Sequence, residues 1–217
     1  MPIDMSIILL ESNIEIQKKI NKAMVEEINS LIKKNAPRLK RLVVASIPNW
    51  VVEQPEIDSL LAAGVPNTLN AEFGIPFGTA GDIVDTIVES IVSTIEVKFV
   101  KVNQNFNGGV QFRFQPSNFI NLLGLKEGHT AGVSLKGEDY DIHWLESILT
   151  RGDETIVVGY RYTPAANRGR SRGGVMEEGG VWRVPPEFSG VDSDNFITRA
   201  FSGREKELEL ILTGLFR

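Results

Sequence analysis

The chain has no cysteine, and that single absence excludes a disulfide framework, thiolate catalysis, cysteine-ligated zinc and iron–sulfur clusters. Histidine is nearly as scarce, with only His129 and His143. A metal site would need both of them plus a carboxylate from Asp139, Asp141 or Glu146, and no HExxH or comparable spacing supports one. Neither a metal nor a cofactor is therefore expected. No apolar run approaches the roughly 20 residues that a membrane helix needs. Ile7, Ile8, Leu9 and Leu10 have no basic flank and no cleavage site, so they do not read as a signal peptide. The expectation is a soluble protein made in the cytoplasm, with no membrane partner. Positive charge is not in excess either: 23 basic against 28 acidic residues give a net charge of -5. The surface as a whole does not attract nucleic acid, although a local patch can. Gly78, Thr79, Ala80 and Gly81 lack a Walker lysine and read as a helix cap. No enzymatic activity is expected.

What is present is ordinary globular patterning. A chain of 217 residues with 42% hydrophobic and 24% charged residues can bury a substantial core. Ser12 or Asn13 can cap a helix with Glu15 in its first turn. Ile16, Ile20, Met24, Ile28 and Leu31 or Ile32 then recur at three or four residues, predicting an amphipathic helix of about 20 residues that breaks or restarts at Pro37. Pro55 suits the first turn of a helix carrying Ile57, Leu60 and Leu61 and ended by Gly64. Another helix is predicted from about Thr79, with Ile83, Val84, Ile87, Val88 and Ile91 on one side. Alternation at 95–101 and 110–115 around an Asn/Gly turn at 105–109 predicts a hairpin closed by Pro116. A short helix over 141–149, a turn at Arg151, Gly152 and Asp153, and a strand over 155–162 follow. The Arg-Gly-Asp tripeptide is read as a turn.

The stretch 165–180 reads as a long loop, and two helical pieces divided by Gly203 close the chain. The fold class is α+β: an antiparallel sheet of three to four strands packed with N-terminal and C-terminal helices, with long extended loops or arms. The organisation expected is a core over 1–164, an arm over 165–191 and a helical segment over 192–217. Ile16, Ile20, Met24 and Ile28 are expected to face the hairpin sheet.

Two features of the arm are unusual. Arg168, Arg170 and Arg172 alternate with glycine and serine, so they either track phosphates or acidic patches on a partner, or form a solvated loop part-neutralised by Glu177 and Glu178. Trp182, Pro185, Pro186 and Phe188 combine ring area with a stiff proline pair. They either dock on a neighbour or pack across the protein's own core.

The run GRSRGGVMEEGGVWRVPPEFSGVDSDNFITRAF at 169–201 resembles the C-terminal signature of tailed-bacteriophage neck and tail-completion proteins. The residues carrying the resemblance are Trp182, Arg183, Val184, Pro185, Phe188, Gly190, Asn195, Phe196, Ile197, Arg199 and Ala200. Trp144, Leu145 and Glu146, with the run 149–153, look like the same group. The resemblance implies a virion structural subunit without cofactors, closing into a homo-oligomeric ring at the head–tail junction and docking adjacent connector, neck or tail proteins. It also implies that Arg168, Arg170, Arg172, Trp182, Arg183, Pro185, Pro186, Phe188, Asn195, Phe196 and Arg199 serve assembly. The alternatives are a tail-terminator ring capping the tube and a packaging component touching DNA in the channel. The stretch 44–77 departs from the shortest members and suggests an insertion.

Overall fold

A computed structural model describes residues 12–114, 118–133 and 139–215. The elements run α1 (Asn13–Val52), α2 (Pro55–Leu61), α3 (Leu69–Glu72), α4 (Ala80–Ser93), β1 (Glu96–Val100), β2 (Gly109–Arg113), α5 (Ile120–Leu123), a 3-10 turn (Lys126–Gly128), β3 (Thr130–Val133), β4 (Asp139–Ile142), α6 (Trp144–Leu149), β5 (Thr155–Pro164), β6 (Gly174–Arg183), α7 (Phe196–Phe201) and α8 (Glu205–Leu215). The fold is α+β. The strands form three separate antiparallel pairs, β1–β2, β3–β4 and β5–β6, where one sheet of three or four strands was expected. The core explains the difference. It is filled largely by helix residues and six buried aromatic rings, those of Trp50, Phe73, Phe119, Trp144, Trp182 and Phe196, so the β1–β2 and β5–β6 pairs meet helices rather than further strands.

The first helix corrects the expected break at Pro37. It runs unbroken for 40 residues through Pro37 and Pro48, a length of about 60 Å. Each proline removes one backbone donor, at a cost of about 3 kcal/mol in an isolated helix. Burial of Leu39, Val43, Ile47, Trp50 and Val51 along the same stretch offsets that cost. At the other end Ser12 and Glu15 form a capping box, as their spacing predicts.

A second correction concerns the face this helix buries. The buried positions are Val25, Ile32, Leu39, Val43, Ile47 and Trp50, whereas Ile20 and Met24 are about half exposed. Asn29, one turn from Val25, clamps the hairpin: its Nδ2 donates to the Val102 carbonyl and its Oδ1 accepts from the Val102 amide. Ile28 packs beside this contact with Val25, Ile32, Val102 and Val110. The helix does meet the β1–β2 hairpin, but through a stripe rotated roughly 100° from Ile20 and Met24 at about 3.6 residues per turn.

The β5–β6 pair corrects the expected loop over 165–180. Only 165–173 is loop, and β6 pairs with β5 from Pro164↔Gly174 to Thr155↔Arg183. Glu177, Glu178, Gly179 and Gly180 are poor strand formers, yet β5 supplies a template. A bulge sets Gly159 against Gly179 and Gly180, all three at positive φ, the conformation glycine adopts without strain.

Other expectations hold: Pro55 opening α2, a helix after Thr79, the turn at 151–153, and the division of α7 from α8 at Gly203. The helix expected over 141–149 begins only at Trp144, because 139–142 pairs with β3 as β4. Contacts cross both expected segment boundaries. Arg204 of the last segment donates to Glu53 of the first, and β6 lies on β5. Gln115 and Pro116, and the apolar residues 7–10, lie outside the described residues.

Candidate functional site

The arginine loop is a compact hairpin end. Asn167 donates its amide to the Arg172 carbonyl, Ala165 donates to Gly173, and Gly174 donates to Arg168. Gly169 sits at φ 73°, and a Cβ there would lie 1.9 Å from the Gly174 carbonyl oxygen, so only glycine closes this turn. Two of the three arginines bind the protein itself. Arg170 donates from Nε to the Gly74 carbonyl at 2.6 Å and from both terminal nitrogens to the Ala131 carbonyl at 3.4 Å. Arg172 lies over the Phe77 ring at 4.2 Å, a cation–π distance. Arg168 is exposed.

Gly169, Arg170, Ser171, Arg172 and Gly173 also spell G-x-S-x-G, which corrects the expectation that this nucleophile pattern is absent. The structural context of a nucleophile elbow is a strand-to-helix turn with an exposed hydroxyl. Here the turn joins two strands, and Ser171 is fully buried. Its Oγ donates to the Ala71 carbonyl and accepts from the Gly173 amide. Ser171 pins the loop to α3.

Beneath the loop is a cleft of about 410 Å³ lined in part by Glu72, Tyr162, Arg170 and Met176. Its polar groups are already engaged. The Tyr162 hydroxyl accepts from the Asn67 amide and donates to the Gly173 carbonyl, both at 3.0 Å. Glu72 accepts from the Trp182 indole at 3.1 Å. Burial pushes the Glu72 carboxyl up, and burial likewise raises the Tyr162 phenol.

The structure places the tryptophan–proline patch in two environments. Trp182 is buried, edge-on to Phe73, which in turn stacks on Trp144. Of the two readings open in the sequence, packing across the protein's own core describes Trp182. Arg183 is exposed, 3.8 Å from Asp153. Pro185, Pro186 and Phe188 form a turn in which Phe188 and Ser189 donate their amides to the Pro185 carbonyl. The stiff extended arm expected there is therefore a folded corner. Pro186 is exposed, and Phe188 packs partly against the core.

Asn195 and Phe196 are also interior. Asn195 caps α7, its Oδ1 accepting from Ile197 and Thr198 while its Nδ2 donates to the Leu149 and Val191 carbonyls. Arg199 bridges Asp194, at 2.6 Å, and the buried Glu56. Desolvation pushes the Glu56 carboxyl up, and Arg199 opposes that shift. Glu56 Oε2 has no hydrogen-bond partner among the described residues.

The register of β3–β4 brings together residues that spacing alone kept apart. Thr130 faces Ile142 and Ala131 faces Asp141, so His129 and His143 flank the end of the ladder on the same side as Asp141. His129 Nδ1 lies 2.8 Å and His143 Nε2 3.7 Å from Asp141 Oδ2. One ligand atom from each lies within 4.8 Å of the others. Glu146, the other acidic candidate, lines the adjoining cleft and pairs with Arg151 at 2.7 Å. An Asp-x-His pair on a strand leading back towards an earlier histidine was the available sequence signal.

The remaining candidate is a surface. Ile20, Met24 and Leu42 are exposed along one side of α1, and residues 13–24 contain no buried position. On the β5–β6 pair, Val158 and Val181 face each other across the ladder and are both exposed. No described helix is long and apolar enough to cross a membrane. Compared with family models, curated proteins and solved structures, the chain has no match in any of the three.

Proposed function

We propose that this chain is a non-enzymatic structural subunit of a tailed-bacteriophage virion, closing into a homo-oligomeric ring at the head–tail junction and docking the rings above and below. The resemblance of 169–201 supplies the virion context. The observation that carries the reading is the apolar stripe on α1 that the core does not use. Ile20, Met24 and Leu42 stand exposed on a helix about 60 Å long. An apolar helix face bracketed by Lys18, Lys19, Lys22, Glu26 and Glu27 suits another helix carrying both signs of charge, as a second copy would. A ring needs two unlike faces on each subunit, because a heterologous contact closes only by rotation. The α1 stripe and the exposed Val158–Val181 face meet that need.

The tail-terminator ring is the same reading at a different layer. The DNA-contacting alternative is weakened by the positions of Arg170 and Arg172, whose guanidiniums bind Gly74, Ala131 and Phe77. Sedimentation of the purified chain, with Ile20→Asp combined with Met24→Asp as the contrast, tests the ring. The wild type should form a closed multimer and the double variant a folded monomer. A wild type that stays monomeric, together with normal particle assembly by the double variant in complementation, would overturn the reading. Density for one unrepeated copy in the particle would do the same.

A further inference from the structure

We infer that His129, Asp141 and His143 form a binding site for one divalent transition-metal ion, with Zn²⁺ the best match. Each residue is placed by a different constraint. His129 follows the 3-10 turn, whose Gly128 packs so tightly against Leu145 that a Cβ would come within 2.9 Å of it. Asp141 is fixed opposite Ala131 by the β3–β4 register. His143 is the N-cap residue of α6, whose Trp144, Leu145, Ile148 and Leu149 are buried. The two histidines are thus set by the core-packed turn and α6, and Asp141 by its partner strand.

Both ring nitrogens of His129 face oxygen acceptors, which either a proton on each nitrogen or a cation at Nδ1 would satisfy. Its Nδ1 faces Asp141 Oδ2 at 2.8 Å and its Nε2 faces the Leu123 carbonyl oxygen at 3.4 Å. Both facing atoms are acceptors. A neutral imidazole carries one N–H, so either tautomer sets one bare nitrogen lone pair against an oxygen lone pair. With the proton on Nε2, donated to Leu123, the Nδ1 lone pair points at the carboxylate. A metal ion between them removes the conflict. It also leaves the arrangement that orients a ligating histidine, with the distal N–H held by a backbone carbonyl.

The second ring completes the donor set. The two imidazole centroids are 4.0 Å apart, tilted by 43°, and two imidazolium rings at that spacing would repel. Neutral rings sharing one ion do not. Two imidazole nitrogens and one carboxylate oxygen suit Zn²⁺, with bonds of about 2.0–2.2 Å. Ligand atoms spread over 4.8 Å converge on such an ion by side-chain rotation alone, because Asp141 and His143 are both about half exposed. Both histidines, together with Glu146, line a cleft of about 280 Å³, which would have room for water or a small carboxylate beside a bound ion. The bound ion would tie the β3–β4 hairpin to the start of α6.

The test uses the untagged full chain, stripped with EDTA and titrated with Co²⁺ and then Zn²⁺. The expected result is one equivalent of Co²⁺ with visible d–d absorption, displaced by Zn²⁺, and a melting temperature that rises with Zn²⁺ concentration. Asp141→Asn and His143→Ala, both at exposed positions, should each weaken uptake by more than roughly 100-fold, beyond the usual range for an outer-shell change, with far-ultraviolet circular dichroism unchanged. Failure to take up Co²⁺ or Zn²⁺ overturns the site, as does stoichiometric uptake indifferent to both variants. In the first case the cluster is a hydrogen-bonded histidine–carboxylate group without a metal. In the second the metal lies elsewhere.

Discussion

The two ends of α1 both carry apolar residues at helical spacing and do opposite things with them. From Leu39 to Val51 the helix is locked. Leu39, Val43, Ile47, Trp50 and Val51 lie in the main core, Trp50 donates its indole N–H to Glu207 of α8 at 2.7 Å, and Phe201 of α7 packs edge-on against it. From Asn13 to Met24 a more charged sequence, still carrying Ile14, Ile16, Ile20 and Met24 at helical spacing, has no buried residue. Periodicity therefore reports that a helix has a sticky face, and the neighbours decide whether that face is satisfied within the chain.

The sharpest break in the comparison is Trp50→Ala, which should cost about 3–5 kcal/mol in a denaturant melt, as for other buried large-to-small changes. A loss below about 1 kcal/mol would show that the two halves are energetically alike. Next comes Arg199→Ala, which strands the buried Glu56 beside α1. It should cost about 2–3 kcal/mol at neutral pH, less than the usual loss for a broken buried pair because Arg199 is part-exposed. Burial holds the Glu56 carboxyl above its ordinary 4.5. Its contribution is therefore fully present below 4.5 and is lost as pH rises through the raised value. Without Arg199 the carboxyl rises further, so the variant's deficit should be widest at neutral pH and narrow below 4.5. A deficit that widens in acid would contradict this assignment.

Glu207 in the same lock has the opposite sign. The Arg204 hydrogen bond, and then that of Trp50, hold it below 4.5, so its contribution is present above 4.5 and is lost as pH falls. Glu207→Gln should flatten the acid limb of a stability–pH curve by lowering stability above 4.5 while changing it little in strong acid. The smallest expected effect is that of Ile20→Ala on the subunit's own stability, within about 0.5 kcal/mol. The same variant should weaken self-association seen by sedimentation. An Ile20→Ala loss of 2 kcal/mol or more would place that residue in a core after all.

Local signals were legible where local chemistry decides. The Ser12–Glu15 box, Pro55 opening α2, the Asn/Gly turn of β1–β2 and the break at Gly203 were all readable, because caps and turns depend on residues a few positions apart. Three things were hidden for tertiary reasons. Pro37 and Pro48 stay helical because buried neighbours outweigh two lost hydrogen bonds. The EEGG segment becomes a strand because β5 templates it and a bulge accommodates its glycines. Ile20 and Met24 read as core because a stripe carries no label for its partner. At the candidate sites, Asp141 and His143 show the same limit. Their stretch was expected to be helical, whereas Asp141 lies on β4 and the partner histidine is supplied by pairing to β3. The buried ends of Trp182, Asn195 and Phe196 were readable only as apolar or polar residues, and 165–191 looked like an arm because its charged and glycine-rich letters mask how tightly it is pinned.

The lock on α1 also governs when the molecule can finish folding. Its contacts join Trp50 to Glu207, Glu53 to Arg204 and Glu56 to Arg199, separations of 157, 151 and 143 residues. At roughly 5–20 residues per second of synthesis, the helix waits on the order of 10–30 s for its partners to leave the ribosome. Such non-local closure is intrinsically slow. During that interval both stripes of α1 are uncovered, the one meant for the core and the one left outside it. Nascent chains held near one another, as on a polysome, would meet through the wrong stripe before the right one is buried. A holding chaperone acting on the N-terminal helix is the natural remedy, and the yield of folded subunit should depend on it more steeply than the stability of the finished protein does.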